Sequence, residues 1–166
     1  MKTKVLFQST HNACRSQMAE GLVKHYLGDR VSAFSAGTEP TAVNQKALAV
    51  MSEIGIDISS QDAKLVDEFE EESFDFVITL LEKVEDKCDV HGAISYCGRC
   101  GKDCPHLEQT SHGGERLYLL GFPDPEKISG DEEQVLAAFR KSRDAIKTEL
   151  LQLFEGTWPM LSIRPR

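Results

Sequence analysis

The sequence predicts an α/β domain in which helices cover both faces of a parallel sheet. Short apolar runs, typical of buried strands, alternate with longer segments whose apolar residues recur at helical spacing. The first apolar run leads through a polar loop straight into a helical segment. Such a junction directs backbone N–H groups and the positive end of a helix toward the carboxyl edge of the sheet. A ligand site is expected at that edge.

The individual elements follow from local pattern. Apolar runs predict strands at residues 4–7, 31–36, 74–81 and 116–120. Helical spacing predicts helices at residues 17–27, 44–54 and 130–154, and a short acidic helix at residues 64–72. Gly55 and Gly156 follow two of these helices, and glycine commonly ends a helix.

The loop between the first strand and the first helix, residues 8–16, has the composition of an anion site, and we call it the anion loop. Arg15 offers a planar fork of donors that suits a tetrahedral oxyanion. A cation at a helix start opposes the helix dipole, so its presence there indicates a bound anion. Asn12 can adopt the left-handed backbone conformation of a tight loop, and Ser16 is expected to cap the helix.

The anion loop also carries a family signature. Ser9 and Arg15 are separated by five residues, and residues 12–21 read NACRSQMAEG. This run resembles the low-molecular-weight protein tyrosine phosphatase family, most closely its thioredoxin-coupled arsenate reductase branch. The family signature is a nucleophilic Cys, five residues and then Arg-Ser. The resemblance implies a flavodoxin-like, four-stranded parallel sheet with the phosphatase-type loop after the first strand.

Position 9 departs from the family, because the nucleophilic Cys is replaced by Ser9. A thiolate attacks because the loop lowers its pKa, whereas a hydroxyl needs a general base that the motif does not supply. Ser9 is therefore expected to keep the hydrogen bonds of the loop and to lose turnover. It is either an engineered trap or a natural departure. His11 also stands where many members have Gly.

The resemblance implies roles for further residues. The oxyanion-binding set would be Ser9, Thr10, His11, Asn12, Ala13, Cys14, Arg15 and Ser16. Asp124, in an Asp-Pro dipeptide, would be the general acid, with a simple turn as the alternative. Cys14 would pack against the loop. In some arsenate reductases the positions of Asn12, Glu20 and Ser35 bind potassium, and here Lys64 could supply the cation instead.

Four of the five cysteines fall between Cys88 and Cys104, which indicates reactive or metal-bound thiols rather than core residues. Cys97 and Cys104, the latter followed by Pro, reproduce the redox pair of the arsenate reductase branch, about 16 positions late. An earlier register would use position 81, which is Leu81, together with Cys88.

The rival interpretation of this segment is a zinc site. Pairs of potential ligands stand at the spacing that zinc sites use, and the candidates are Cys88, His91, Cys97 and Cys100, with Cys104 and His106 as further candidates. The anion chemistry itself requires no cofactor. The redox interpretation requires a mobile segment near the anion loop, and the zinc interpretation requires fixed ligands that are remote from it. Both interpretations remain open at this point, as does a third, in which these cysteines are unrelated free thiols.

Composition bounds the rest. The chain is expected to form one domain at residues 1–156, with a Cys-rich insertion at about 82–106 and a tail at 157–166. A net charge of −8 argues against nucleic-acid and anionic-membrane partners. No long apolar run or leader pattern is found, so a cytoplasmic location is expected.

Three functions are consistent with these observations. The first is an arsenate reductase-like enzyme, inactive in this form because of Ser9, with an oxyanion substrate (arsenate, phosphate or sulfate) and a thioredoxin-like reductant. The second is a low-molecular-weight tyrosine (aryl) phosphatase. The third is a non-catalytic oxyanion-binding protein.

Overall fold

A computed structural model describes residues 1–82, 94–97 and 116–155 of the chain. The strands are β1 (Thr3–Ser9), β2 (Val31–Gly37), β3 (Phe76–Leu81), β4 (Ile94–Cys97) and β5 (Arg116–Gly121). The α-helices are α1 (Arg15–Leu27), α2 (Gln45–Ser52) and α3 (Glu132–Glu155). Two 3-10 helices span Val66–Phe69 and Pro125–Lys127. Within these residues, no helix is long and apolar enough to cross a membrane.

The strands form one parallel sheet in the order β2-β1-β3-β5-β4. The predicted α/β fold class is confirmed, and the four predicted strands are β1, β2, β3 and β5. The structure adds β4 at the edge, inside the Cys-rich segment. This strand has four residues and pairs with β5 through a register shift. So short a run carries no periodic pattern, which is why sequence alone did not indicate it.

The two faces of the sheet are covered unequally. On one face, Phe7 and Ile78 pack against α1, α2 and α3 in the main hydrophobic core. On the other face, Leu6 and Val77 pack with Phe74 and the Val66–Phe69 3-10 helix in a smaller cluster. Alternate residues of β1 and β3 thus point to opposite faces, as strand geometry requires. Both faces carry helical structure, although in the described residues the second carries only a 3-10 helix.

The helix boundaries differ in detail from the predictions. Helix α1 begins at Arg15, two residues earlier than expected. Asn44 is the N-cap of α2, and Gly55 follows that helix with φ of 76°, the left-handed conformation that favours glycine. The predicted acidic helix at 64–72 is a single 3-10 turn at Val66–Phe69. Helix α3 lies where the sequence predicts it.

The topology places the carboxyl ends of β1, β3 and β5 at one edge of the sheet. Parallel strands present all their carboxyl ends on the same side, and the anion loop leaves that side after Ser9 of β1. Strand β3 lies next to β1, and β5 lies next to β3. The segment after Gly121 therefore emerges two strands away from the anion loop, which brings Asp124 toward it.

Candidate active site

The anion loop is anchored by its carbonyl oxygens. Four of its carbonyls accept hydrogen bonds of 2.8–3.2 Å from backbone N–H groups of the segment that leads from β2 to α2. The pairs, acceptor first, are Ser9 with Thr38, Thr10 with Glu39, His11 with Thr41, and Ala13 with Asn44. The C=O and N–H of one peptide point in opposite directions, so the amides that follow these carbonyls face the other way. Within the described residues, the amides of Thr10, His11 and Cys14 have no acceptor. These N–H groups are therefore available to donate to an oxyanion.

Asn12 fixes the shape of the loop. Its φ is 49°, the left-handed conformation expected from its residue type. Its Oδ1 accepts hydrogen bonds from the backbone N–H of Lys64 at 2.9 Å and from Gln17 Nε2 at 3.0 Å. Gln61 Nε2 donates in turn to Gln17 Oε1 at 2.7 Å. Asn12 and Gln17 are fully buried, so these bonds replace the water that their polar atoms lose.

Ser9 lies at the base of the anion loop. Its Oγ is 2.8 Å from Ser16 Oγ and accepts a hydrogen bond of 3.1 Å from the backbone N–H of Asn12. The prediction that Ser16 caps α1 is wrong, because the N-cap is Cys14, which makes no side-chain cap bond. Ser16 is instead a buried helical residue whose hydroxyl bonds to Ser9 and to Asn12 Nδ2. Position 9 is therefore held against the start of α1 by these hydrogen bonds.

Arg15 faces the loop that carries Asp124. Its Nη1 donates to the carbonyl oxygen of Phe122 at 2.8 Å, and its Nη2 donates to Asp124 Oδ2 at 3.2 Å. The Arg15 and Asp124 side chains are only 15% and 17% exposed. A guanidinium at a helix start opposes the helix dipole, and here the Asp124 carboxylate supplies the compensating negative charge.

Asp124 has a structural contact as well as its contact with Arg15. It is the N-cap of the Pro125–Lys127 3-10 helix, and its Oδ1 accepts a hydrogen bond of 3.1 Å from the backbone N–H of Glu126. Asp124 therefore caps a turn and contacts Arg15 at the same time. One carboxylate oxygen holds the turn, and the other points at the guanidinium beside the anion loop.

Cys14 lies in the anion loop, but its side chain packs into the core. Burial is the main cause that raises the pKa of its thiol well above the usual range. The negative charges of Glu126 and Asp124 raise this pKa further, and Arg15 lowers it. A protonated, inaccessible thiol is not a nucleophile at neutral pH.

A buried carboxylate lies near the anion loop. Glu20 is 3% exposed and accepts hydrogen bonds of 2.5 Å from Ser35 Oγ and from Lys24 Nζ. Lys64 Nζ lies 3.8 Å from Glu20 Oε2 and donates to the carbonyl of Asp62 at 2.7 Å. The ammonium groups of two lysines, Lys24 and Lys64, therefore lie near the Glu20 carboxylate. The sequence indicated only Lys64.

The cysteine segment is described in part. Cys97 ends β4, opposite Leu119 of β5, on the far edge of the sheet from β1. Three strand spacings of ~4.8 Å put the ends of β1 and β4 ~14 Å apart. Leu81, at the end of β3, is much closer to the anion loop. Cys88, His91, Cys100 and Cys104 lie outside the described residues. Within the described residues, no three His, Cys, Asp or Glu side chains form a metal-binding group.

Several residues of the site gave no clear signal in the sequence. The Gln17–Gln61 pair supports Asn12, and the side chain of Asn44 donates to Glu126 at 2.7 Å. Gln17 stands out only as a polar residue in the apolar pattern of α1. Asn44 is a recognisable N-cap, but its partner lies 82 positions away, and no local pattern indicates such a contact.

Comparison with known proteins agrees with this geometry. Residues 4–158 match the family model described as low molecular weight phosphotyrosine protein phosphatase. An arsenate reductase from Halalkalibacterium halodurans is 40% identical over 145 residues, covering 87% of this chain and 90% of that protein.

Two solved structures are similar to most of this chain. An arsenate reductase in the phosphate binding state has a TM-score of 0.62 and 29% identity, and the match covers 92% of this chain and 96% of that one. The thioredoxin-dependent arsenate reductase of Corynebacterium glutamicum has a TM-score of 0.59 and 25% identity, and the match covers 95% of this chain and 64% of that one. The fold, the loop and the matched length together show that this chain belongs to the low molecular weight phosphotyrosine protein phosphatase family.

Proposed function

We propose that the chain is an arsenate reductase-like oxyanion enzyme whose anion loop is complete and whose nucleophile position carries Ser9. The observation that carries this proposal is that three features lie together at the anion loop. The loop amides face away from their anchored carbonyls, Arg15 begins α1, and Asp124 contacts the same guanidinium. The arsenate reductases among the relatives support arsenate as the substrate.

In a form with Cys at position 9, the thiolate sulfur attacks the arsenic atom of arsenate and forms an S–As bond. Arg15 and the loop amides hold the remaining oxygens, and Asp124 donates a proton so that the departing hydroxide leaves as water. A second thiol then attacks the sulfur at position 9. The electron pair of the S–As bond stays on arsenic, which leaves as arsenite, and the two sulfurs form a disulfide.

The second thiol would be Cys97. Cys104 would then attack Cys97 and release the thiolate at position 9, and a thioredoxin-like dithiol would reduce the resulting Cys97–Cys104 disulfide by exchange. A cytoplasmic location would keep these thiols reduced. This relay needs no metal or organic cofactor. It does require Cys97 to approach position 9 from the far edge of the sheet. The single domain at residues 1–156, with its Cys-rich insertion at 82–106, remains part of this proposal.

With Ser9 in place, the same pocket would hold the oxyanion without turning it over. The contacts of Ser9 Oγ with Ser16 and Asn12 preserve the loop, but no described group at the base of the loop is placed to deprotonate the hydroxyl. The chain with Ser9 should therefore bind sulfate, phosphate or arsenate, and binding should stabilise its folded state.

The decisive experiment compares the chain with its Ser9→Cys variant. Sulfate at 20 mM should raise the Tm of the Ser9 chain by several degrees, and Arg15→Ala should abolish the rise. The Ser9→Cys variant should consume NADPH in the presence of arsenate, thioredoxin and thioredoxin reductase. Hydrolysis of aryl phosphate alone would favour a phosphatase. Anion binding with neither activity would favour a non-catalytic oxyanion-binding protein.

A further inference from the structure

Asn44 stands where three parts of the site meet. Its backbone N–H donates to the carbonyl of Ala13 in the anion loop at 2.8 Å. Its Oδ1 accepts a hydrogen bond of 2.8 Å from the backbone N–H of Lys46, which caps α2. Its Nδ2 donates to Glu126 Oε1 at 2.7 Å. One residue thus connects the anion loop, the start of α2 and the segment that carries Asp124.

The contact with Glu126 leads directly to Asp124. The backbone N–H of Glu126 donates to Asp124 Oδ1, while Arg15 donates to Asp124 Oδ2. The Asp124 segment is therefore attached to the anion-loop side at two separate points. One attachment runs through the guanidinium of Arg15, and the other runs through the side chain of Asn44.

These two attachments respond differently to an oxyanion. An oxyanion in the loop competes with the carboxylate of Asp124 for Arg15, because both ligands are negative and seek the same donors. The Asn44–Glu126 bond does not involve that guanidinium, so an oxyanion on Arg15 does not compete for it. The Glu126 charge itself opposes an anion, since it helps to raise the pKa of the neighbouring Cys14. The position of Glu126 is therefore better explained by its support of the Asp124 segment than by a role in binding the oxyanion.

We propose that Asn44 is a positioning residue which, through Glu126, keeps Asp124 over the anion loop while an oxyanion occupies Arg15. The catalytic consequence rests on the proposed function, because it assumes that Asp124 is the proton donor. The bracing itself is independent of turnover and can be measured in the chain with Ser9.

The first test measures amide hydrogen exchange in residues 122–128 of the Ser9 chain. Asn44→Ser retains a capping oxygen and the backbone N–H but is too short to reach Glu126. Exchange should rise at least threefold in this variant, and the rise should be larger in 20 mM sulfate. Glu126→Gln retains the Oε1 acceptor and should behave like the parent chain. Unchanged exchange in Asn44→Ser under both conditions overturns the proposal.

The second test measures arsenate turnover in the Ser9→Cys background. Asn44→Ser should lower kcat about tenfold and leave KM within twofold, because it displaces the proton donor rather than the oxyanion. The same substitution added to Asp124→Asn should have no further effect on kcat, as expected of a residue that acts through Asp124. Additive losses in kcat would overturn the positioning role. An inactive Ser9→Cys parent would contradict the proposed function. The hydrogen-exchange result would then decide by itself whether Asn44 holds the Asp124 segment through Glu126.

Discussion

At the scale of single residues, the pairing of Arg15 with Asp124 has two opposing consequences. In the absence of an oxyanion, the carboxylate neutralises a guanidinium that is largely removed from water. When an oxyanion enters, the same carboxylate becomes a competitor and a source of repulsion. Its removal should therefore improve binding and impair chemistry, a combination that a simple turn residue would not produce.

The first prediction is that Asp124→Asn tightens sulfate binding to the Ser9 chain by about 3–10-fold, or roughly 1 kcal/mol. In the Ser9→Cys background the same change should slow turnover by about 10²–10⁴-fold. Asp131→Asn is the matched control, because Asp131 also accepts a hydrogen bond from a nearby backbone N–H at a helix start. Isothermal titration with sulfate measures the affinity. Weaker binding in Asp124→Asn would contradict the competition.

The second prediction concerns Cys14 and pH. Burial raises the pKa of this thiol in the folded state, so folding keeps a proton that the unfolded chain releases above about pH 8.5. The stabilising contribution is complete below that pH and is lost as the pH rises above it, by up to about 1.4 kcal/mol per pH unit. Urea unfolding at pH 8.0 and pH 9.5 should show a smaller alkaline loss for Cys14→Ala. Equal losses in the two proteins would mean that the thiol titrates normally.

The residue types of the anion loop predicted much of its detail, and contacts between distant residues account for the rest. The left-handed Asn12 and the position of Arg15 follow from properties that each residue carries by itself. Ser16 was misassigned because its hydroxyl has better partners in Ser9 and Asn12 than in the helix end. The Asn44–Glu126 bond depends on how β2, α2 and the segment after β5 pack, which no local pattern encodes.

At the scale of elements, the end of β2 supports the anion loop from behind. A Cβ atom on Gly37 would lie 2.6 Å from the carbonyl oxygen of Thr10 and 2.9 Å from the backbone nitrogen of Asn12. Both neighbours are backbone atoms, so the loop would have to move rather than a side chain rotate. The close approach of strand and loop thus depends on glycine at this position.

The third prediction is that Gly37→Ala weakens sulfate binding at least tenfold and lowers the free energy of unfolding by about 1–3 kcal/mol. Gly55→Ala is the matched control. Its Cβ would meet nothing within 4 Å, so only its φ of 76° costs stability, by about 1–2 kcal/mol. The control should therefore lose stability without losing affinity. Titration with sulfate and urea unfolding separate the two effects, and equal affinities in both variants would exclude support of the loop by β2.

At the scale of the whole molecule, the order of the strands explains what sequence could and could not supply. Alternating strands and helices predict a parallel sheet with its site at the carboxyl edge, and the segments after β1 and β5 meet there. The edge strand β4 follows from tertiary pairing of a four-residue run with β5. That pairing separates Cys97 from Ser9 by the width of two intervening strands, a distance that the spacing of cysteines along the chain could not reveal.

The last prediction concerns that separation. A disulfide requires Cα atoms within ~7 Å, so Cys97 can reach position 9 only if β4 leaves β5. Strand β4 is short and contains a register shift, and among the described strands it pairs only with β5, so its detachment breaks few of the hydrogen bonds of the sheet. We therefore expect the protein purified without added metal to contain less than about 0.1 zinc per chain. Mild oxidation should then link Cys97 to Cys104, as mapped by peptide mass under non-reducing conditions.

A zinc ion retained through dialysis at about one per chain would instead fix these thiolates in a site remote from the nucleophile. In that case Cys97 could not serve as the resolving thiol, since a zinc-bound thiolate is a poor partner for disulfide exchange.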